Sequence, residues 1–283
     1  MILADMNQIS VASVMMYLHM SKKIIPEDSM TGNVRYMILN SLRMYRTRFS
    51  SEFGELVLCY DSKHYWRRDY FPEYKANRRK DRKESDKDWD AIFECLNTIK
   101  EEIRTNMPYK FLEVYGAEAD DIIATICSEY DEEIMILSGD KDFIQLQKSP
   151  NVKQYSPITK KMVNGINPVG YLQEHILKGD TTDGIPNVLS PDNTFTDGLR
   201  QTPLTKKKLV SIMETLPFSS LPDKIKRNHQ RNKKLIDLTS APPELSDEIL
   251  KTYRSSSSGD RSKLLNYFIQ KRLRTLTESI GEF

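Results

Sequence analysis

The chain has 283 residues, of which 39% are hydrophobic and 29% charged, and its formal net charge is +2. This balance is typical of a folded chain with a sizeable core, long enough for one large domain or two modest ones. The sequence contains no run of 18 apolar residues and no basic, apolar leader, so we expect neither a membrane span nor a secretory signal. Three isolated cysteines predict reduced core thiols and a cytoplasmic location, not disulfides or a zinc site.

Strands alternate with helices in the first part of the chain. Four apolar runs have the length and composition of buried strands: 1–5, 55–61, 110–116 and 134–138. Apolar residues at helical spacing predict helices at 34–49 and 89–106, and acids before an apolar run predict another at 117–130. Continuously apolar strands are typical of parallel strands that are covered on both faces. We therefore predict an α/β fold with a mostly parallel sheet flanked by helices.

The character of the sequence changes after residue 165. The run LQEHILKGDTTDGIP reads as a helix that ends in a turn, and helical segments rich in Lys and Arg follow a loop-like stretch. We predict an α/β domain at 1–180 and a smaller helical domain at 181–283.

Charge is distributed unevenly along the chain. Residues 200–283 carry 17 Lys or Arg against 9 Asp or Glu, so the preceding part is net acidic, although 63–83 holds nine Lys or Arg and three acids. An acidic centre beside a basic island and a basic tail suits a metal-filled site that serves a polyanion. Ordinary solvated faces would give the same pattern, so charge alone leaves both interpretations open.

Aspartates follow three of the predicted strands at the same relative place. Asp5 closes the first strand, Asp61 the second, and Asp140 comes shortly after the fourth. Ligands of open parallel sheets bind outside the carboxyl ends of the strands, so these side chains should converge. The motifs EADD, GDKD and GDTTDG add six further acids: Glu118, Asp120, Asp121, Asp142, Asp180 and Asp183.

Carboxylates gathered in this way need counter-charge. Two charges about 4 Å apart repel by roughly 4 kcal/mol at an effective dielectric constant near 20. Oxygen ligands favour hard divalent cations, and we expect no histidine to join them, so the pattern predicts Mg²⁺, with Mn²⁺ as a substitute, and not zinc. Two such ions would support an in-line displacement at phosphorus.

The motifs ADMNQ, CYDSK, GAEADDIIA, LSGDKDF and LKGDTTDGIPNV occur in the order found in the flap endonuclease and 5′-to-3′ exonuclease family. The sequence resembles in particular the members encoded by T-even bacteriophages, over essentially its whole length. The resemblance implies a PIN-like core with a basic arch at about 62–95 and a helical domain of helix–three-turn–helix type. It also implies a 5′ nuclease that uses two divalent metals to remove RNA primers and adjacent DNA during phage replication in the host cytoplasm.

The resemblance also implies roles for single residues. It gives the first metal to Asp5, Asp61, Glu118, Asp140 and one of Asp120 and Asp121. It gives the second metal to Asp142, Asp180 and Asp183, with Asp140 near the border. Tyr74, Lys75 and Arg78 match the family's Tyr-Lys-x-x-Arg pattern, which places Lys75 and Arg78 as a cationic clamp on the scissile phosphate.

A wider set of residues is predicted to bind nucleic acid: Trp66, Arg67, Arg68, Tyr74, Lys75, Arg78, Arg79, Lys206, Lys207 and Lys208. The three consecutive lysines would replace a Gly-x-Gly hairpin that many relatives use to hold duplex phosphates and whose glycines are displaced or absent in this sequence. The implied substrates are branched, nicked or flapped DNA and RNA–DNA duplex, acted on by a monomer. The C-terminal stretch 263–283 would either dock a single-stranded-DNA-binding protein or sliding clamp, or complete the helical domain.

Two other functions fit part of the sequence. A haloacid-dehalogenase-type phosphatase would also carry an Asp-x-Asp motif after a strand and a later GDTTD-like motif, but it would leave the basic island unexplained. A non-catalytic DNA-binding replication factor on the same fold would not need every acid. For Lys75 the alternative is a flexible basic loop that only attracts DNA, and for Trp66 it is local packing at the base of the arch.

Overall fold

A computed structural model of the protein describes residues 1–21, 30–215 and 220–283. The strands, in chain order, are β1 (Ile2–Asp5), β2 (Leu56–Tyr60), β3 (Lys110–Glu113), β4 (Ile134–Leu137), β5 (Val152–Ser156) and β6 (Lys161–Met162). The first α-helices are α1 (Met6–Ser21), α2 (Met30–Phe53), α3 (Trp66–Tyr70), α4 (Asn77–Lys83), α5 (Trp89–Asn106) and α6 (Ala119–Glu129). The others are α7 (Pro168–Lys178), α8 (Lys206–Glu214), α9 (Asp223–Ile236), α10 (Pro243–Ser255), α11 (Ser262–Gln270) and α12 (Arg274–Glu278).

The strands form one sheet in the order β3-β2-β1-β4-β5-β6, parallel except for the short edge strand β6. Strand β1 lies between β2 and β4, with Ala4 opposite Leu58 on one side and Leu137 on the other. The carboxyl ends of these three strands therefore meet at one edge of the sheet. The predicted mostly parallel α/β sheet is confirmed.

Alternate residues of the central strand enter two different cores. Ile2 and Ala4 face the core that contains α2 and α5, whereas Leu3 faces the core that contains α6. All three are fully buried, as period-two alternation requires when a sheet is covered on both faces. This burial fixes the direction of the strand, and with it the place where the chain leaves the sheet at Asp5.

The C-terminal helices complete both of these cores. Ile249 of α10 packs into the core around α6, while Phe268 of α11 and the terminal Phe283 pack into the other. A separate apolar cluster joins Leu177 at the end of α7 to Leu209 of α8. The predicted division at 180 and 181 stays a prediction. Within the described ranges, no helix combines the length and apolar character needed to cross a membrane.

The chain between β2 and α5 forms the basic segment that we predicted as an arch. It contains the short helices α3 and α4, and its side chains reach the carboxylates described below. The predicted extent of 62–95 stays a prediction. Residues from Trp89 onward already belong to α5, where Ile92 and Cys95 are buried in the sheet core.

A close backbone approach positions the acids that follow α7. Gly179 has a φ of 68° at the end of this helix, and a Cβ there would lie 2.3 Å from the Ile185 carbonyl oxygen. The turn is closed by paired backbone hydrogen bonds between Asp180 and Ile185, of 2.8 and 2.7 Å. Gly179 therefore fixes the direction in which the chain leaves α7, and with it the positions of Asp180 and Asp183.

We expect Gly179→Ala to lower the free energy of unfolding by roughly 1–3 kcal/mol more than Gly198→Ala. Both glycines have positive φ, but a Cβ at Gly198 meets nothing within 4 Å. Gly198→Ala thus measures only the free-energy cost of a left-handed backbone conformation for a residue with a side chain, about 1–2 kcal/mol. Chemical denaturation of the two variants checks this, and equal losses would show that the close approach is not tight.

Candidate metal centre

Five of the predicted ligands line one pocket of about 250 Å³ at the carboxyl edge of the sheet: Asp5, Asp61, Glu118, Asp120 and Asp140. They arrive from the end of β1, the residue after β2, the start of α6 and the loop after β4. These elements bring the five side chains together at one edge of the sheet. In the described residues they are spread more widely than a closed metal cage, since no three of their ligand atoms lie within 4.8 Å of one another.

Ser138 connects two of these acids. Its buried hydroxyl donates to Asp5 Oδ2 at 2.9 Å and accepts the backbone N–H of Asp140 at 3.1 Å. Gln154, also fully buried, donates to the carbonyl oxygens of Ser138 and Asp140 at 2.8 and 2.6 Å. The loop after β4 is therefore held rigidly by side chains that the sequence reasoning did not single out. An internal glutamine on β5 is the signal that was available, because a buried amide must find partners.

Backbone amides at the start of α6 fix two further acids. Asp61 Oδ1 accepts the N–H of Ala119 at 2.7 Å, and Glu118 is the N-cap of this helix. Carboxylates near a helix N-terminus are stabilised by the free amides and by the helix dipole. The acids of the EADD motif therefore serve both the helix and the pocket.

The structure distinguishes Asp120 from Asp121. Asp120 lines the acidic pocket, whereas Asp121 is fully buried behind it. Asp121 accepts hydrogen bonds from the Glu118 backbone at 3.0 Å, Arg67 at 2.9 Å and the Trp66 indole at 3.3 Å. All three donors reach Oδ2, and Oδ1 forms an ion pair with Arg67 Nη2 at 2.8 Å, so the alternative of Asp121 as a metal ligand is corrected in favour of Asp120.

The same contacts correct two predicted nucleic-acid contacts. The Arg67 side chain is 2% exposed, bridges Glu118 and Asp121, and donates from Nε to the Leu235 carbonyl oxygen at 2.9 Å. Trp66 is 9% exposed and holds Asp121. Neither side chain is free to contact a phosphate or to stack on a base. The alternative of local packing at the base of the arch applies to Trp66.

The arch places three polar side chains against the acids. Lys75 Nζ lies 2.6 Å from Glu118 Oε1 and 3.5 Å from Asp183 Oδ2, and Arg78 lies 2.6 Å from Asp183 Oδ1. The buried Tyr74 hydroxyl is 3.0 Å from an oxygen of each of these carboxylates. Burial alone would raise the pKa of Glu118, but the adjacent charges of Lys75 and Arg67 lower it below its ordinary value. Tyr74 therefore braces the acids and is too buried to contact nucleic acid.

Asp142, His175 and Asp180 form a second, tighter group. Each offers one ligand atom, and these atoms lie within 4.8 Å of one another. His175 Nδ1 is 3.2 Å from Asp142 Oδ1, and Nε2 is 3.6 Å from Asp180 Oδ2. The expectation that no histidine joins the acids is therefore wrong. Asp183, which we predicted here, lies outside this group and faces the arch.

Burial among other carboxylates makes several of these acids hard to ionise. It raises the pKa of Asp5 to about 6 and the pKa of Asp61 to about 7. Burial and the neighbouring Asp140 charge raise the pKa of Asp142 to about 7. A divalent cation would offset the repulsion in the ionised form. The oxygen donors of the pocket fit Mg²⁺ or Mn²⁺, so the residues present are suited to such an ion.

A basic pocket of about 340 Å³ adjoins the acidic one and shares Asp61, Glu118, Lys75 and Arg78 with it. Its remaining lining residues are Lys63, Tyr65, Arg68 and Arg82, and Arg68 belongs to the set predicted to bind nucleic acid. Lys206, Lys207 and Lys208 lie elsewhere, exposed in the first turn of α8. The side chain of Arg79 lies outside the described residues.

Comparisons with known proteins agree with this architecture. Residues 9–174 match the family described as 5′-3′ exonuclease, N-terminal resolvase-like domain, and residues 171–283 match T4 RNase H, C terminal. The chain is 34% identical to the ribonuclease H of Enterobacteria phage T4 over 99% of its own length and 95% of that protein. It is 29% identical to a 5′-3′ exonuclease of Buchnera aphidicola subsp. Schizaphis graminum over 57% of each chain.

Solved structures share the fold. The D15 protein of T5, co-crystallised with metal ions, superposes with a TM-score of 0.61 at 17% identity, covering 88% of this chain and 96% of that one. A T5 flap endonuclease complex with DNA and metal ions gives 0.59 at 17% identity, covering 90% and 99%. The predicted family resemblance and fold class are confirmed, and the phosphatase alternative is not supported.

We expect Arg67→Ala to destabilise the protein by about 3–5 kcal/mol, because it leaves the buried Asp121 without its counter-charge and Glu118 with Lys75 alone. Arg68→Ala is the matched control. Its guanidinium donates to the Tyr65 hydroxyl and lies over that ring, so its removal should cost about 1 kcal/mol or less. Denaturant unfolding measures both. An Arg67→Ala protein that keeps its stability but loses DNA affinity would contradict the buried role.

Without divalent ions, the free energy of unfolding should fall as pH rises from about 5 to 8. Asp5, Asp61 and Asp142 have folded-state pKa values of about 6, 7 and 7, above the roughly 3.9 of an unfolded aspartate. In that pH window the folded chain therefore binds more protons than the unfolded chain. The free energy of unfolding that these bound protons contribute is lost as rising pH removes them.

Saturating Mg²⁺ or Mn²⁺ should reverse this loss. An ion at 100 times its Kd adds about 2.7 kcal/mol, or roughly 5–10 °C in melting temperature. The gain should be larger at pH 8 than at pH 5.5, because protons compete for the same oxygens. Thermal melts at both pH values test this, with Asp5→Asn as the control in which the gain shrinks. Equal gains at both pH values would contradict the proton competition.

Proposed function

The chain belongs to the 5′-3′ exonuclease family and is a nuclease that hydrolyses phosphodiester bonds, and we propose that it removes RNA primers and adjacent DNA from 5′ ends during phage DNA replication. We propose two Mg²⁺ ions as its cofactors, with Mn²⁺ as a substitute. The observation that carries this proposal is the convergence of strand-end carboxylates beside the cations of the arch.

Two groups of residues would hold the ions. One ion would be held by Asp5, Asp61, Asp120 and Asp140, with Glu118 beside them. The other ion would be held by Asp142 and Asp180. Such ions supply a reactive water at neutral pH and stabilise charge in an in-line phosphoryl displacement. The protein's own contribution is to hold these oxygens at one edge of the sheet.

Lys75 and Arg78 are the proposed phosphate contacts. Both line the wall shared by the acidic and basic pockets, so a phosphate at the acids lies within reach of both side chains. Lys75 is 9% exposed, and its ammonium is paired with Glu118. This ion pair would hold the ammonium beside the acids, where the scissile phosphate would bind. Preorganised cations of this kind stabilise charge that develops in the transition state.

The proposed substrates are branched, nicked or flapped DNA and RNA–DNA duplex. A T5 flap endonuclease with the same fold has been crystallised with DNA. In this chain, Arg68, Lys63 and Arg82 in the basic pocket would hold the single strand, and Lys206, Lys207 and Lys208 would hold the duplex. We further propose that the enzyme acts as a monomer. Because Phe268 and Phe283 are buried in the sheet core, residues 263–283 help to complete the fold, and we propose that their exposed side, with Leu265 and Ile269, docks a replication partner such as a single-stranded-DNA-binding protein or sliding clamp.

A 5′-labelled flap substrate with Mg²⁺ tests the proposal. Asp140→Asn should lower the cleavage rate by at least about 100-fold, because Asp140 lies where both groups of ligands meet. Asp131→Asn is the matched control, because Asp131 is exposed at the opposite end of β4. This variant should cleave the substrate at the rate of the unmodified protein.

Two outcomes would count against the proposal. Undetectable cleavage of flap, nicked and RNA–DNA substrates by the unmodified protein at low salt would overturn the proposed substrates. Full activity in Asp140→Asn would overturn the proposed site while leaving the substrates in place.

A further inference from the structure

His175 is placed to act as a ligand. It lies in the last turn of α7, and its side chain is 15% exposed. One ring nitrogen faces Asp142 and the other faces Asp180, at 3.2 and 3.6 Å. Nδ1 is buried and has no well-aligned hydrogen bond, although buried polar atoms usually find one. The ring is therefore aimed into a carboxylate group without being fixed there by a backbone partner.

The geometry of the group is close to that of a metal site. Its three ligand atoms lie within 4.8 Å of one another. Ligands on opposite sides of an ion with bonds of about 2.1 Å stand about 4.2 Å apart. Closing the group around an ion thus needs shifts of well under 1 Å, which side-chain rotation supplies.

Asp180 is already oriented for this role. Its Oδ1 accepts hydrogen bonds from the Thr182 backbone and hydroxyl at 2.7 and 2.6 Å. Its other oxygen, Oδ2, is the atom that faces the histidine ring. Outer contacts that satisfy one carboxylate oxygen and aim the other are typical of metal ligands.

We propose that His175 is a nitrogen ligand of the second divalent cation, together with Asp142 and Asp180, and that it strengthens the binding of Mn²⁺ at this site more than the binding of Mg²⁺. The inference rests on the proposed function, which supplies the cation, and adds the histidine and the selectivity. Imidazole favours transition metals, whereas Mg²⁺ prefers oxygen ligands in an octahedron. The carboxylates of the first pocket offer no such nitrogen, so the two sites should differ in how strongly they discriminate Mn²⁺ from Mg²⁺.

Electron spin echo spectroscopy of the full chain loaded with one and with two equivalents of Mn²⁺ tests this directly. A coordinated imidazole gives ¹⁴N modulation of the Mn²⁺ signal, which should be present in the unmodified protein and absent in His175→Gln. The matched control is His19→Gln, because His19 is exposed on α1, about 20 Å along the helix from Asp5. Calorimetric titration of the same proteins should give an Mn²⁺ affinity about tenfold lower in His175→Gln, and a smaller loss for Mg²⁺.

The outcomes separate this inference from the proposed function. If Mn²⁺ binds but gives no ¹⁴N modulation, or if the modulation persists in His175→Gln, the histidine ligand is overturned and the metal-dependent function stands. An equal loss of Mn²⁺ and Mg²⁺ affinity overturns the selectivity. If neither ion binds the unmodified protein, the proposed function fails together with the inference.

Discussion

Repulsion between carboxylates at one edge of the sheet is the constraint on which the rest of this structure depends. The parallel strands β1, β2 and β4 must end side by side because their apolar residues fill the two cores. That ending brings Asp5, Asp61 and Asp140 together whether or not anything neutralises them. Two unit charges about 4 Å apart cost roughly 4 kcal/mol at an effective dielectric constant near 20, a large part of a domain's stability of about 5–15 kcal/mol.

Neighbouring elements lower this cost in different ways. At the back of the site, Arg67 bridges Glu118 and Asp121 and removes them from the repulsion. At the front, Lys75 approaches Glu118 from the arch with its backbone at a φ of 57°, a conformation that costs about 1–2 kcal/mol for a residue with a side chain. Its backbone N–H donates to the Asp183 carbonyl oxygen at 2.8 Å, which holds the arch in this strained turn. The conformation of the arch thus depends on the contacts of Lys75 with Glu118 and Asp183.

Period and position in the sequence were enough to predict the sheet and its acidic edge, because burial on both faces and strand direction are encoded locally. They could not tell Asp120 from Asp121, or Arg67 from Arg68. Adjacent residues differ only in which way the helix turns them, and for Arg67 that direction depends on a hydrogen bond to the Leu235 carbonyl oxygen, far along the chain. The sequence did not predict His175 as a member of the acidic group for a similar reason. His175 precedes Asp180 by five residues, which is not a ligand spacing on one helix, and only the reversal at Gly179 brings the two together.

The loop after β4 explains how two groups of ligands can behave as one site. Asp140 Oδ1 accepts the backbone N–H of Asp142 at 2.9 Å, so the carboxylate of one group sets the start of the turn that carries the other. Ser138 and Gln154 fix the same loop to β1 and β5. A movement of Asp140 toward a ligand must therefore pull on the backbone of Asp142. Because a packed and hydrogen-bonded loop of this kind transmits strain and does not absorb it, binding in either group should change the free energy of binding in the other.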